Sequence, residues 1–422
     1  MRRPTYLCRD MDYHLVLAGS MKATWDQVVF SFRVYSMKFS QRVHIPPSAT
    51  LAMNSAAQEK KKKGETVFNL TTGEPRVPLS SFIQEGALKA MQSGKTFYTP
   101  TSGIVELREK AFEWMNINYG THYTLENSFA TNGGKYALYA LFQAFLETGD
   151  EILILDPYWV SYPSMAHLAG ATSKILSTTF ENGWKITVSE IQNALCEKTK
   201  MLILNNGSNP TGVLYTREEL KNIAKVCFEN NILLVSDEVY SGLTYDDAEY
   251  VSCGEFSEFV ENIVVVQSMS KNFAMSGWRV GFIFATKEII SQLSTFQGQS
   301  TSGTSSISQW AAVAAFEHSK EIMPEIKHEL EMRRNIFAEK FEKIFQKKIP
   351  VPKCGLYYFI PMHFFGSVGE NSLEFCMQML DRANVAMVPG IAFGKEGYVR
   401  CSFGGEMEEI EQALENLGKV ML

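Results

Sequence analysis

From Gly133 onward, short runs of β-branched and aliphatic residues alternate with stretches of helical period, and this alternation restricts the chain to few architectures. The order is helix "KYALYALFQAFLETG", strand "EILILD", strand "KMLILNN", helix "REELKNIAKVCFENN", then strands "ILLVSDEV", "NIVVVQS" and "VGFIFA". Runs this apolar are buried on both faces, which calls for a mainly parallel sheet covered by helices on either side. The fold class is therefore α/β. In such sheets ligands collect beyond the carboxyl ends of the strands, so chemistry is sought in the residues that follow each apolar run.

Three of those ends carry polar residues that no core needs. "LLVSD" delivers Asp237, with Tyr240 three residues on; "LILNN" leads to "NPTG", Asn209 to Gly212; "VVVQS" leads to Ser268, Ser270 and Lys271, then Gly277, Arg279 and Gly281. Taken singly, each has an ordinary role: Asp237 as a helix cap, Asn209-Pro210 as a turn, Tyr240 as a core aromatic, Lys271 as a surface lysine. Together they meet the needs of a pyridine cofactor bound as an imine. The amine reacts with an aldehyde, the carboxylate keeps a ring nitrogen protonated, and the phenol and amide hold a ring oxygen. The serines and Arg279 offer neutral donors and a planar cationic fork to a phosphate, and Gly277 and Gly281 allow close backbone approach. In "TNGGKYAL" a glycine pair precedes a helix, either a second anion cradle at the helix N-terminus or a plain turn.

Composition narrows the partners. A net charge of −6 leaves no basic footprint for nucleic acid. The seven cysteines contain no CxxC pair and the histidines lack metal-ligand spacing, so neither a disulfide framework nor a metal site is expected. No apolar run approaches the roughly 18 residues of a transmembrane helix, and Asp10, Asp12 and His14 interrupt the start where a signal peptide stays apolar. The protein is expected to be soluble and cytoplasmic. Residues 1–44 mix aromatic, apolar and basic residues without helical or alternating order and form an extension of unknown role. Lys60 to Lys63 read as the solvated end of a helix closed by Gly64.

In order along the chain, "PSAT", "TTGEP", "FYTPTSGIVELRE", "TNGGKYAL", "DPYWVSY", "NPTG", "SDEVY", "SMSKNFAMSGWRVG" and "VPGIAFGKEGYVRCSF" resemble the class I aminotransferases of the pyridoxal-phosphate-dependent type I fold, and most closely their bacterial aspartate aminotransferase branch. The resemblance covers Pro47 to the C-terminus. It implies pyridoxal 5'-phosphate as cofactor, with Lys271 as the Schiff-base lysine and proton carrier, Asp237 on the pyridinium nitrogen, and Asn209 and Tyr240 on the phenolate oxygen. The amides of Gly134 and Lys135, with Ser268, Ser270 and Arg279, would bind phosphate; Trp159 would stack on the ring. Tyr98 would reach the phosphate of a neighbouring subunit, which implies a homodimer with shared sites. Arg400 would grip the substrate α-carboxylate, Gly73 would lie over the substrate, and Lys135 would meet a distal carboxylate with Thr50 and Ser48 assisting.

The resemblance further implies a large cofactor domain over 80–310 and a small domain combining 45–79 with 311–422. The expected reaction is ping-pong amino transfer, with aspartate and 2-oxoglutarate as the favoured pair. An aromatic or alanine aminotransferase and a carbon–sulfur lyase are the alternatives, and a cofactor-binding regulator is a remote one, since the segment before the fold is short and its sequence lacks a basic recognition helix. Members that also transaminate prephenate usually carry a basic residue where this chain has Pro46, which argues against prephenate. Arg76, Val77 and Gly207 depart from the common pattern and are expected to retune the substrate mouth.

Overall fold

The computed structural model describes residues 38–45, 49–367 and 371–421. Most of the expected N-terminal extension, together with Pro46 and Ser48, lies outside the described residues. Internal contacts group Arg42–Leu422 as one unit, and all that follows lies within it.

Twelve strands are named in chain order: β1 Phe68–Asn69, β2 Ser128–Thr131, β3 Glu151–Asp156, β4 Thr172–Ser177, β5 Thr199–Asn205, β6 Leu233–Asp237, β7 Ile263–Ser268, β8 Gly281–Phe284, β9 Tyr357–Pro361, β10 Val385–Ala386, β11 Val388–Pro389 and β12 Tyr398–Ser402. Seven of them form one sheet in the order β2-β8-β7-β6-β5-β3-β4. Only β8 runs against its neighbours there, so the sheet is mainly parallel, as the alternation of apolar runs and helices requires. β2 and β4 are the two edges, and neither stands out in the sequence. β2 has four residues, and β4 ("TSKILS") is largely exposed with a lysine at its centre, as edge strands often are.

The alternation of side chains along the inner strands divides one apolar run between two cores. Met201, Ile203, Val235, Val264 and Val266 pack with residues of the helices Gly134–Phe145, Ser161–Ala169 and Lys287–Gly298. Leu202, Leu204, Leu234 and Val265 pack on the other side with residues of Val105–Tyr119, Arg217–Glu229 and Ser306–Glu317. The register then sets the site: Asn205 at the end of β5 pairs with Asp237 at the end of β6, so the polar residues that follow these strands emerge on one rim.

Strands β11, β12 and β9 form a separate antiparallel sheet that carries Arg400 opposite Phe359. This sheet and the long helix Ser319–Phe345 are tied to the segment after β6 by a charged cluster. Arg334, 1% exposed, donates to Asp246 Oδ1 at 2.6 Å and Oδ2 at 2.9 Å, and Lys353 Nζ reaches Oδ2 at 3.0 Å. Hydrogen bonds from Arg334, then Lys353, hold the Asp246 carboxyl down at about 2. Stability from such a lowered acid is present above its unfolded value and is lost as pH falls through about 2. Asp246→Asn is expected to lower the folding free energy by ~1–3 kcal/mol at pH 7, reduced from the cost of a fully buried pair because Asp246 is partly exposed. Thermal melts across pH check this: the difference from wild type should close as pH approaches 2 and stay open at pH 5 and above.

Candidate active site

A cleft of about 380 Å³ opens at the rim of the seven-stranded sheet, and its lining includes Thr50, Gly73, Gly134, Lys135, Trp159, Asn209, Asp237, Tyr240, Ser268, Ser270, Lys271, Arg279 and Arg400. Every site residue expected from the sequence is there except Tyr98, which is 99% exposed on the surface, and Ser48, which is not described.

One end of the cleft is a cradle of donors. Ser268 closes β7 and caps the short helix Met269–Asn272; its Oγ accepts from Ser270 N at 3.1 Å and donates to Ser270 Oγ at 2.9 Å. The helix Gly134–Phe145 points its first amides into the same corner, and Gly133 before it has φ +84°. Arg279 sits in the left-handed region at φ 56°, where its guanidinium donates to the carbonyls of Ser276 at 2.6 Å and Asn132 at 3.3 Å. Gly281 is what lets these parts meet, because a Cβ there would stand 2.5 Å from Gly133 C and Gly134 N. Gly277 is different: a Cβ would meet nothing within 4 Å, so the close approach expected of both glycines belongs to Gly281 alone.

The floor holds Asp237 and Lys271. Asp237 is buried and accepts from Tyr162 Oη at 2.6 Å. Burial pushes its carboxyl up to about 6, although Tyr162 and Lys271 oppose the rise. Among the described residues no cation lies within ion-pair distance of it. Lys271 Nζ donates to the Gly73 carbonyl. The residue is half-buried in the cleft lining, and loss of water lowers its pKa against the pull of Tyr357 and Glu74. Above them Lys135 Nζ lies 4.9 Å from the centre of the Trp159 ring, and withdrawal from water, then Arg279 and Lys271, lowers its pKa.

At the far end Arg400 is 2% exposed and has no carboxylate within ion-pair distance among the described residues. Its Nη1 donates to Asn209 Oδ1 at 3.0 Å and Nη2 to the Thr71 carbonyl at 2.8 Å; Nε has no partner. The guanidinium lies 4.2 Å from the Tyr357 ring centre and 5.1 Å from that of Phe393.

Sequence reasoning missed Tyr357, Tyr162, Ser276 and Glu74. Ser276 Oγ donates to Glu74, which joins the "GEP" turn to the loop before Arg279. Tyr162 lies inside "DPYWVSY", but its helical surroundings disguise it as packing; "GLYYFIP" reads as a buried strand. Arg76 stays out of the cleft lining and pairs with Glu409 at 3.7 Å, so it does not border the substrate mouth. Gly207 is also outside it; with φ +76° and Cys354 Sγ 2.5 Å from a notional Cβ, it serves the backbone.

A larger hollow, about 650 Å³, shares Tyr357 with this cleft and is lined also by Trp184, Tyr215, Arg217 and Lys353. Its cations are paired, Arg217 with Glu249 at 2.7 Å and Lys353 with Asp246 at 3.0 Å. The unpaired charge is in the smaller cleft, which is therefore the better candidate for chemistry. No cluster of metal-ligating side chains and no helix long and apolar enough to cross a membrane occurs among the described residues.

Burial of Asp237 has a measurable cost. An acid raised in the folded state adds stability below its unfolded value and loses it as pH rises toward about 6. Asp237→Asn should therefore stabilise the cofactor-free protein by about 2 kcal/mol at pH 7, and the gain should vanish below about pH 4. Chemical unfolding at the two pH values checks both sign and window.

Comparison with known proteins identifies the family. Residues 65–417 match the family model "Aminotransferase class I and II". The chain is 37% identical over 390 residues to an aspartate aminotransferase of Geobacillus stearothermophilus, spanning 91% of this chain and 99% of that protein. It is 32% identical over 381 residues to a probable aspartate/prephenate aminotransferase of Aquifex aeolicus, spanning 90% and 97%. The solved Thermus thermophilus aspartate aminotransferase with maleate superposes with a TM-score of 0.86 at 34% identity, covering 91% of this chain and 100% of that one. The chain thus belongs to the class I and II aminotransferases, on the branch that holds these bacterial aspartate aminotransferases.

Proposed function

We propose that the protein transfers the amino group of a dicarboxylic amino acid, aspartate first, to a 2-oxo acid such as 2-oxoglutarate, with pyridoxal 5'-phosphate held in the cleft. The observation that carries this reading is the charge of the lining: Lys135, Lys271, Arg279 and Arg400 face a single carboxylate, Asp237. Such a cleft gathers anions.

The residues fit that cofactor. Ser268, Ser270, Arg279 and the first amides after Gly133 make the donor set of a phosphate site. Asp237 is a buried carboxylate without a cation, which a protonated ring nitrogen would supply; Asn209 and Tyr240 would hold the ring oxygen, and Trp159 would cover the ring. When bound, the cofactor supplies an electron-accepting ring that acidifies the α C–H bond of an amino acid joined to it.

The remaining work belongs to the chain. Lys271 Nζ, with its lowered pKa, is neutral more often than a free lysine amine, and so can take the α-proton and return it. Arg400 offers a fork to the α-carboxylate in a site that is already desolvated, so the pairing is strong and directional. Lys135 and Thr50, both in the lining, would meet a distal carboxylate. Gly73 would lie over the substrate, and its carbonyl accepts from the Lys271 amine. Tyr98, exposed on one chain, would serve a partner's phosphate, which makes the working unit a homodimer with shared sites. A cytoplasmic location and the division into a large part, 80–310, and a small part, 45–79 with 311–422, belong to the same proposal; prephenate does not, because of Pro46.

Two variants test the assignments in steady-state assays. Lys271→Ala should lower kcat by roughly 10²–10⁴-fold or more. Lys135→Ala should lower kcat/KM for aspartate by about 10- to 100-fold, the worth of a hydrogen bond to a charged group, and leave alanine within about threefold. Equal losses for both substrates would remove Lys135 from substrate recognition.

A further inference from the structure

Tyr357 stands at the junction of the two ends of the cleft. Antiparallel pairing of β9 with β12 sets Phe359 opposite Arg400 and Tyr357 opposite Ser402, so Tyr357 and Arg400 are diagonal neighbours on one face. The ring supports the guanidinium at 4.2 Å. The hydroxyl is 3.1 Å from that of Tyr240, with the two rings edge to face at 78°. Gly73 makes room for it, since a Cβ there would stand 3.1 Å from Tyr357 Oη.

A phenol has one proton to donate. When Tyr240 donates to the cofactor ring oxygen, its own oxygen is left to accept, and the Tyr357 hydroxyl becomes the donor. Donation into Tyr240 polarises its outward O–H bond and strengthens it. We propose, resting on the cofactor reading above, that Tyr357 is a positioning residue with two separable actions: its hydroxyl strengthens Tyr240 as a donor, and its ring holds the plane of Arg400. The charged and titratable groups around the pair are Asp237, Arg400 and Lys271, with Glu74 and Arg279 beside Lys271, and all of them survive Tyr357→Phe.

The test uses holoenzyme carrying Tyr357→Phe, Tyr240→Phe or both, and follows the absorbance of bound pyridoxal phosphate against pH. Tyr357→Phe should raise the spectral midpoint by about half a pH unit, because a weaker donor favours the deprotonated chromophore less. The shift should disappear in the Tyr240→Phe background. Succinate affinity should stay within about twofold in Tyr357→Phe and weaken roughly tenfold in Tyr357→Leu, which lacks the ring. A midpoint that is unchanged or lowered, or a shift of equal size without the Tyr240 hydroxyl, overturns the inference. A wild-type protein with no titrating cofactor band overturns the cofactor reading instead, so the two failures are distinct.

Discussion

Arg400 is a buried cation without a buried anion, and much of the surrounding architecture serves to keep it so. Removing a guanidinium from water costs several kcal/mol unless polar partners replace the lost hydration. Here the partners are neutral: the side-chain oxygen of Asn209, the carbonyl of Thr71 and two aromatic faces, with Nε left over. Those partners come from four places, the loop after β5, the turn after β1, the strand β9 and the turn after β11 that carries Phe393. Holding the charge available for a ligand therefore fixes the small antiparallel sheet against the rim of the large one.

The other end of the cleft is organised by backbone approach. Gly281 brings β8 against the start of the helix Gly134–Phe145, and Arg279, in a left-handed conformation that a side-chain-bearing residue adopts only at some cost, is held by the carbonyls of Ser276 and Asn132. Asp237 adds a second unfavourable feature, a carboxylate whose charge is resisted by its surroundings. Local strain and unpaired charge thus concentrate where ligands would relieve them, while the sheet and its two cores provide the opposing stability.

Much of this was legible in the sequence. The inner strands announced themselves because burial on both faces demands continuous apolar runs, and the polar residues just beyond β5, β6 and β7 were visible as interruptions of those runs. The edge strands were not visible, since β4 is exposed enough to resemble a loop and β2 is too short to show a period. Tyr357 and Tyr162 were hidden for another reason: an aromatic residue inside a strand or helix looks like packing until its hydroxyl is seen to meet Tyr240 or Asp237. Position in three dimensions also corrected two inferences from local pattern, since Gly277 faces open space and Arg76 turns to Glu409.

On the proposed reading the cleft is an amino-transfer site that takes a dicarboxylic amino acid and uses a pyridoxal cofactor. The most direct measurement is a single-turnover titration: purified protein is loaded with pyridoxal phosphate, and its absorbance is followed as L-aspartate is added without any oxo acid. Conversion toward the pyridoxamine form with aspartate, and little change with alanine or phenylalanine at the same concentrations, is the expected result. A cofactor band that aspartate leaves unaltered, or that all three amino acids convert equally, would contradict the claim.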